Sequence, residues 1–482
     1  MEMTVKEIIN SCNGVLLCGN PETVVHGGSI DSRRTKEGDL FVPLIGERSN
    51  GHGYIGSAFA KGAVATLTQE HQEMDDPAHC WIYVQDTQTA LQEIAKAYRN
   101  QFAIPIIGVT GSVGKTTTKE MLALALSAEE NVMKTKGNFN SQVGLPITLF
   151  GLEPEHTVAV IEMGMSEKGE MSRLAEIARP NFAVITNIGM SHIENLKTQK
   201  NILMEKLHIM DYFTKKSVLF INGDDPLLSS LIGFLPCKTI VYGTRYNAHY
   251  QAKHIVTEDK HTTYALQTPI QGRTVYLPTL GKHNVLNSLA AIAVADYLGL
   301  NLDAVIDKIA EYVPPAMRQE IHEVNGITVI DDTYNASPDS IRSGLDVLSG
   351  LECRGRRVAV LADMLELGEL SDQAHYDVGV AVAEAGVSVL VTVGKRAENI
   401  GKGAKAVNPA VLVCSQKDNE QAIKYLQHKL RPGDCVIVKG SRGMKTDEIV
   451  RGLLQHGVEG VAAAQDAEKT EQQQVEQAAE AE

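Results

Sequence analysis

The stretch Ile106–Met121, IIGVTGSVGKTTTKEM, decides how this chain is read. A β-branched run meets a glycine-rich turn, then Gly114-Lys115-Thr116-Thr117, then a helical pattern. That order predicts a strand, a phosphate-binding loop and a helix. Glycines let backbone N–H groups face an anion, Lys115 supplies a point charge, and the helix N-terminus adds its dipole. The hydroxyl of Thr116, next to the lysine, can hold a Mg²⁺ that bridges nucleotide phosphates. The common G-x-x-x-x-G-K-[ST] pattern asks for glycine where Val109 stands. The loop is therefore a variant form, Thr110-Gly111-Ser112-Val113-Gly114-Lys115-Thr116-Thr117, expected to line a nucleotide.

Strands and helices alternate on both sides of this loop. Ile104–Val109, Val158–Glu162, Ala183–Thr186, Ser217–Ile221 and Thr239–Tyr242 read as strands with helices between most of them. This predicts a doubly wound, mostly parallel sheet. Residues 250–278 alternate in polarity and suggest a β-hairpin excursion, followed by a helix over Ser288–Leu298. Before the loop, residues 1–101 mix short strands with helices and end in an amphipathic helix, Thr89–Asn100. After Pro314-Pro315 the alternation resumes with Thr328–Asp331, Arg357–Ala362, Ser388–Val393, Val411–Cys414 and Cys435–Lys439. The expected organisation is α/β throughout: an N-terminal domain over 1–101, a central domain over 102–314 and a Rossmann-like domain over 315–461. The segment 462–482 is Ala, Gln and Glu with few large apolar residues, and is expected to remain a disordered acidic tail.

Composition narrows the function classes. The chain has 482 residues, 43% of them apolar, and a formal net charge of −14. An acidic balance counts against nucleic acid, whose binders carry a basic face. No apolar run approaches the ~18 residues of a membrane span, and the N-terminus has no apolar core of a signal peptide. Seven cysteines lie singly, with no C-x-x-C, which predicts reduced thiols and a cytoplasmic location.

In an open parallel sheet, ligands bind beyond the carboxyl ends of the strands. Glu162 stands at such an end, able to share a Mg²⁺ with Thr116 or simply to face water. His192, in Thr186-Asn187-Ile188-Gly189-Met190-Ser191-His192, lies past the next strand end on the same edge. A lone loop histidine is more often solvated than a ligand, but its place beside Glu162 and the phosphate loop favours a ligand. By spacing alone Lys206 is a surface lysine. In Gly281-Lys282-His283-Asn284-Val285-Leu286-Asn287, the amides of Asn284 and Asn287 could reach an adenine edge, and N-capping by Asn284 explains the pattern equally well. Ser337, Pro338 and Asp339 read as a helix start. That leaves Asp331-Asp332-Thr333-Tyr334-Asn335 as a strand-end polar cluster unexplained by local structure. Gly440–Lys445 forms a second strand-end loop, and Ser32 and Arg33 suit either a nucleotide or a turn.

Together these motifs resemble the Mur ligase family of ATP-dependent amide-forming enzymes, from about Gly28 to Gly457. The markers are TGSVGKTTT, GNFNSQVGLP (Gly137–Pro146), IEMG, TNIGMSH and GKHNVLNSLAA. DDTYNASPDS (Asp331–Ser340), LADMLELG (Leu361–Gly368) and VKGSRGMK (Val438–Lys445) resemble the branch that adds D-alanyl-D-alanine to UDP-N-acetylmuramoyl-tripeptide. The D-[ND]-P-R motif of the branch adding the third residue is not found.

The resemblance implies an acyl-phosphate mechanism with ATP and two Mg²⁺ ions, in a cytoplasmic monomer acting on small-molecule substrates. Lys115, His192, Lys206 and Arg318 would be catalytic, with Lys206 carbamylated and sharing the second Mg²⁺ with His192. His283, Asn284, Asn287, Arg318 and Asp332 would contact ATP, with Asp332 on the ribose. Ser32, Arg33, Asn140, Tyr334 and Asn335 would contact the other substrates. The alternatives are a sibling ligase with another amine acceptor, or a silent ATP-binding regulator.

Overall fold

A computed structural model describes residues 1–46, 49–245, 247–258 and 260–456; the expected tail at 462–482 lies outside them. The chain packs as two compact units. The first comprises Met1–Ile188, Leu203–Tyr250 and Ser288–Lys308, and the second comprises Gly189–Ile202, Gln251–Asn287 and Ile309 onward. No helix among the described residues is long and apolar enough to cross a membrane.

In the first unit the phosphate-loop strand, Ile106–Thr110, is buried along its whole length. Its neighbours are Val158–Glu162 and Phe182–Ile185, both parallel to it. Val132–Lys134 lies outside the former, and Val218–Asn222 and then Lys238–Gly243 lie outside the latter, all parallel. Strand order thus reverses beside Ile106–Thr110, which opens a crevice at its carboxyl end. The strands read as continuous apolar runs because both faces of a parallel sheet are covered. The phosphate-loop strand begins after Pro105, which has no N–H to donate to a ladder.

The residues before Asn100 form a sheet of their own in the same unit. Its order is Val15–Cys18, Cys80–Tyr83, Ala65–Thr68, Asp39–Phe41, Gly27–Ser29, parallel except at the first strand. The helix that follows spans Thr87–Arg99, two residues earlier at its start than the amphipathic pattern implied, because Asp86 caps it by accepting from Thr89 N–H at 2.7 Å.

The second unit has a sheet ordered Glu320–Val324, Ile327–Asp331, Cys435–Lys439, Arg357–Ala362, Val389–Val393, Leu412–Gln416. Only the edge strand Glu320–Val324 runs antiparallel to its neighbour. Ile327 and the buried valines of these strands pack against Ile449, Val450 and Leu453 of a C-terminal helix. Ser337 caps the helix Pro338–Gly350 in a reciprocal capping box with Ser340, as its sequence predicts.

Two expectations are corrected here. Residues 250–278 hold three antiparallel strands, Tyr250–Glu258, His261–Gln267 and Gly272–Leu277, instead of one hairpin. The helix expected from Ser288 begins at Lys282. Gly281, at φ +93°, turns the chain in one residue, so the helix starts immediately after it. Asn284 is therefore inside the helix and caps nothing.

Candidate functional site

The phosphate loop is shaped by two glycines at positive φ, Gly111 (+149°) and Gly114 (+86°). A β-carbon on Gly111 would collide with Thr186 Oγ1, so no other residue fits there without displacing that strand end. The next strand end holds the loop from its other side. Thr186 Oγ1 donates to the Val113 carbonyl at 2.6 Å, and Asn187 brackets the same residue, accepting from Val113 N–H at 2.9 Å and donating to its carbonyl at 2.8 Å. Neither residue was singled out from the sequence, although both lie in the quoted TNIGMSH run. Ser112 N–H donates to the Asn187 carbonyl. Lys115 folds back over the loop, its Nζ donating to the Gly111 carbonyl at 2.8 Å and to that of Ser112 at 3.3 Å. The helix Lys115–Leu126 follows directly, with Gly114 as its N-cap, and its first-turn N–H groups point to where an anion is favoured. Thr117 occupies that first turn.

Glu162 ends its strand 2% exposed, and the structure joins it to Thr116. Thr116 Oγ1 donates to Glu162 Oε2 at 2.9 Å, and Asn140 Nδ2 donates to Glu162 Oε1 at 2.7 Å. Behind them Lys119, fully buried, donates to the Thr135 carbonyl at 2.7 Å and pairs with Glu120 at 2.9 Å. Its Nζ stands 3.9 Å from Glu162 Oε2. A hydroxyl and a carboxylate side by side at the mouth of a phosphate loop form the hard-oxygen set that suits Mg²⁺.

Lys206 is far from the surface lysine that spacing suggested: it is 1% exposed. No hydrogen bond or ion pair among the described residues reaches its amine. The adjacent Glu205 is engaged elsewhere, accepting from Gly169 N–H at 3.0 Å and Met171 N–H at 2.9 Å at the start of the helix Glu170–Ala178. Burial, reinforced by the charge of Lys115 and opposed by Glu205, pushes the Lys206 amine well below the usual lysine range.

The second unit gathers the remaining polar residues. Gln319 Oε1 faces His283 Nε2 at 2.9 Å and accepts from Asn284 Nδ2 at 3.4 Å, while Asn287 Nδ2 donates to Asn284 Oδ1 at 3.2 Å. Asp332 accepts from Lys439 Nζ at 2.7 Å. Burial raises the Asp332 carboxyl, and Lys439, Arg318 and Gln319 oppose that shift. Burial also lowers His283. The Arg318 guanidinium stacks 4.0 Å over the Tyr334 ring. Asn335 Oδ1 accepts from the N–H groups of Ala336 and Arg442. Gln319 and Lys439 are the functional candidates that sequence reading missed; Lys439, the last residue of its strand, carried a positional signal, whereas Gln319 carried only its place beside Arg318.

His192, at φ +63°, faces Glu366 Oε2 through Nδ1 at 2.8 Å. In the first unit Arg33 is exposed and forked onto Asp31 at 2.9 and 2.8 Å, and its hydrogen bonds hold the Asp31 carboxyl down at about 2. Ser32 sits between them, half-buried in the turn.

Comparison with known proteins now adds its findings. Residues 109–295 match the model of the Mur ligase middle domain, 317–442 that of the Mur ligase glutamate ligase domain, and 24–99 that of the Mur ligase family catalytic domain. The chain is similar to the UDP-N-acetylmuramoyl-tripeptide–D-alanyl-D-alanine ligase of Bacillus subtilis (strain 168), 37% identical over 94% of this chain and 99% of that one. It is 30% identical to the ligase of that name in Escherichia coli (strain K12), over 95% and 99% of the two chains. Among solved structures, a MurF from Acinetobacter baumannii superposes with a TM-score of 0.86 at 28% identity, covering 94% of this chain and 99% of that one. The MurF ligase of Thermotoga maritima in complex with ADP gives 0.80 at 27%, over 91% and 98%.

Proposed function

The chain belongs to the Mur ligase family, and from that premise we propose how its residues divide the work of an ATP-dependent ligase. It is a carbon–nitrogen ligase of peptidoglycan precursor synthesis that joins D-alanyl-D-alanine to UDP-N-acetylmuramoyl-tripeptide, with release of ADP and phosphate. The observation that carries the nucleotide half of this reading is the Thr116–Glu162 pair at the mouth of the glycine loop.

A carboxylate is a poor acyl donor. Its oxygen attacks the γ-phosphorus of ATP, the bond to the bridging oxygen breaks, and ADP departs from an acyl phosphate. Such phosphoryl transfer depends on positioning and on neutralising charge. Lys115 and the loop N–H groups hold the phosphates, and Arg318 adds a second cation. Thr116 and Glu162 would hold Mg²⁺, which when bound would neutralise phosphate charge; Asn140 orients Glu162. Asn284, Asn287 and His283 contact the base, Asp332 the ribose. Ser32 and Arg33 take the uridine nucleotide, and Tyr334 and Asn335 the incoming dipeptide. The amine of D-alanyl-D-alanine then attacks the acyl carbon, the bond to phosphate oxygen breaks, and an amide remains.

Lys206 fits a carbamate. A buried amine whose pKa is lowered gives up its proton more readily and so offers the lone pair that bonds CO₂, the N–H proton then lost to solvent leaving a carbamate anion. That anion would supply a further oxygen ligand for a divalent cation, to which the family resemblance also assigns His192.

Phosphate release tests the whole reading. It is expected only when UDP-N-acetylmuramoyl-tripeptide and D-alanyl-D-alanine are both present. Equal release with D-alanine or L-lysine would move the chain to a sibling activity. Nucleotide binding without release would make it a silent regulator.

A further inference from the structure

His192 stands in a short segment whose backbone is bound at several points by residues distant in sequence. Met190 N–H donates to Asp339 Oδ2 at 3.0 Å, and Glu194 N–H donates to the Glu366 carbonyl at 3.2 Å. Glu366 therefore grips the segment twice, by its carbonyl and by its carboxylate on His192 Nδ1. Both partners adopt left-handed backbone, Glu366 at φ +64° and His192 at +63°, a region that few non-glycine residues occupy. Gly368, at φ +53°, continues the turn, and a β-carbon there would stand 3.3 Å from the Glu194 side chain.

The loop that presents Glu366 is itself fixed from behind. Met364 N–H donates to the buried His375 ring at 2.9 Å, Leu365 N–H to Ser441 Oγ at 2.9 Å, and Asp363 Oδ1 accepts from Ala397 N–H at 2.7 Å. The Glu366 side chain is 56% exposed, so its pair with His192 contributes little to stability. A carboxylate set on one ring nitrogen by a well-anchored loop has a known chemical use. It accepts a hydrogen bond from the N–H at that nitrogen, so the proton stays there and the other nitrogen is left as an unprotonated ligand.

We propose that Glu366 is a positioning residue: it holds His192 as the Nδ1–H tautomer, with Nε2 free to bind the divalent cation. This rests on the reading of His192 as a metal ligand given above.

The test uses the full chain with ¹⁵N-labelled histidine, together with Mn²⁺ binding measured by electron paramagnetic resonance in the presence of ADP. In the wild type the His192 ring, assigned by its loss in His192→Ala, should show a protonated Nδ1 and an unprotonated Nε2. Glu366→Gln should mix the tautomers and weaken Mn²⁺ binding about 10-fold or more. The double variant should bind no more weakly than His192→Ala alone, because the two residues act as one unit. If His192→Ala weakens Mn²⁺ binding but Glu366→Gln changes neither the tautomer nor the affinity, the positioning role is overturned and the ligand reading stands. If Mn²⁺ binding is indifferent to His192→Ala, the ligand reading itself fails and the proposal falls with it. Unchanged thermal unfolding of Glu366→Gln excludes a loss of fold as the cause.

Discussion

Two buried lysines, one in each unit, are held in opposite ways. In the second, Lys439 is 3% exposed and donates to the carboxylate and the carbonyl of Asp332, so its charge is answered where it stands. In the first, Lys206 is 1% exposed and its amine meets no hydrogen bond among the described residues, while its neighbour Glu205 caps a helix instead. A paired buried charge is a structural element whose partner depends on it. An unpaired buried amine is an expense to the fold, retained only where its lone pair is useful.

The largest expected effect separates these cases at Lys206. Lys206→Met should lower turnover by about 10³-fold or more and yet unfold at higher denaturant, since a desolvated amine is replaced by an apolar chain of similar length. The pH dependence follows in sign. The folded-state pKa lies below the ordinary 10.5, so between the two values the unfolded chain binds more protons. Wild-type stability should therefore rise with pH through that window, its deficit being fully present below the folded-state pKa. The advantage of Lys206→Met should be greatest at low pH and fade toward 10.5. Urea unfolding at several pH values in CO₂-free buffer measures it. A variant less stable than wild type at every pH would show that Lys206 is as well paired as Lys439.

At Lys439 the direction reverses. Lys439→Met leaves Asp332 buried without its cation, and should cost about 3–5 kcal/mol of stability. Adding Asp332→Asn should recover part of that loss, because a neutral amide is cheaper to bury than a carboxylate. Two losses that simply add would mean that the 2.7 Å contact does not couple the pair.

The same contrast explains what could be read in advance. The glycine loop is one contiguous run shaped by its own backbone, so the turns at Gly111 and Gly114 and the places of Lys115 and Thr116 were legible residue by residue. Glu162 followed from topology, since the end of a parallel strand beside the switch point faces the crevice. The burial of Lys206 was not legible by itself: its helix, Gln199–Leu207, has hardly any amphipathic contrast to mark an inward face. The second unit's cluster joins Asn284, Gln319, Asp332 and Lys439 from four separate segments, and no local pattern links them. The polar Lys282-His283-Asn284 run resembled a loop because its amides bond one another inside the helix rather than face water. Glu366 carried even less signal, as its contact with His192 spans 174 positions of the chain and joins it to a residue whose own loop had to be placed first.

The smallest effect concerns hydroxyls. Thr392, buried in a strand of the second unit, donates to Ser415 Oγ at 2.9 Å. Thr110, equally buried at the end of the phosphate-loop strand, has no hydrogen-bond partner for its Oγ1 among the described residues. Thr392→Val should cost roughly 0.5–1.5 kcal/mol, the usual net worth of one hydrogen bond. Thr110→Val keeps the branched shape and removes an unsatisfied oxygen, so it should be neutral or stabilising by up to about 1 kcal/mol. A destabilisation equal to that of Thr392→Val would mean that the Thr110 hydroxyl is satisfied within the protein. A stabilised fold with a raised KM for ATP would mean instead that this hydroxyl is kept for the nucleotide.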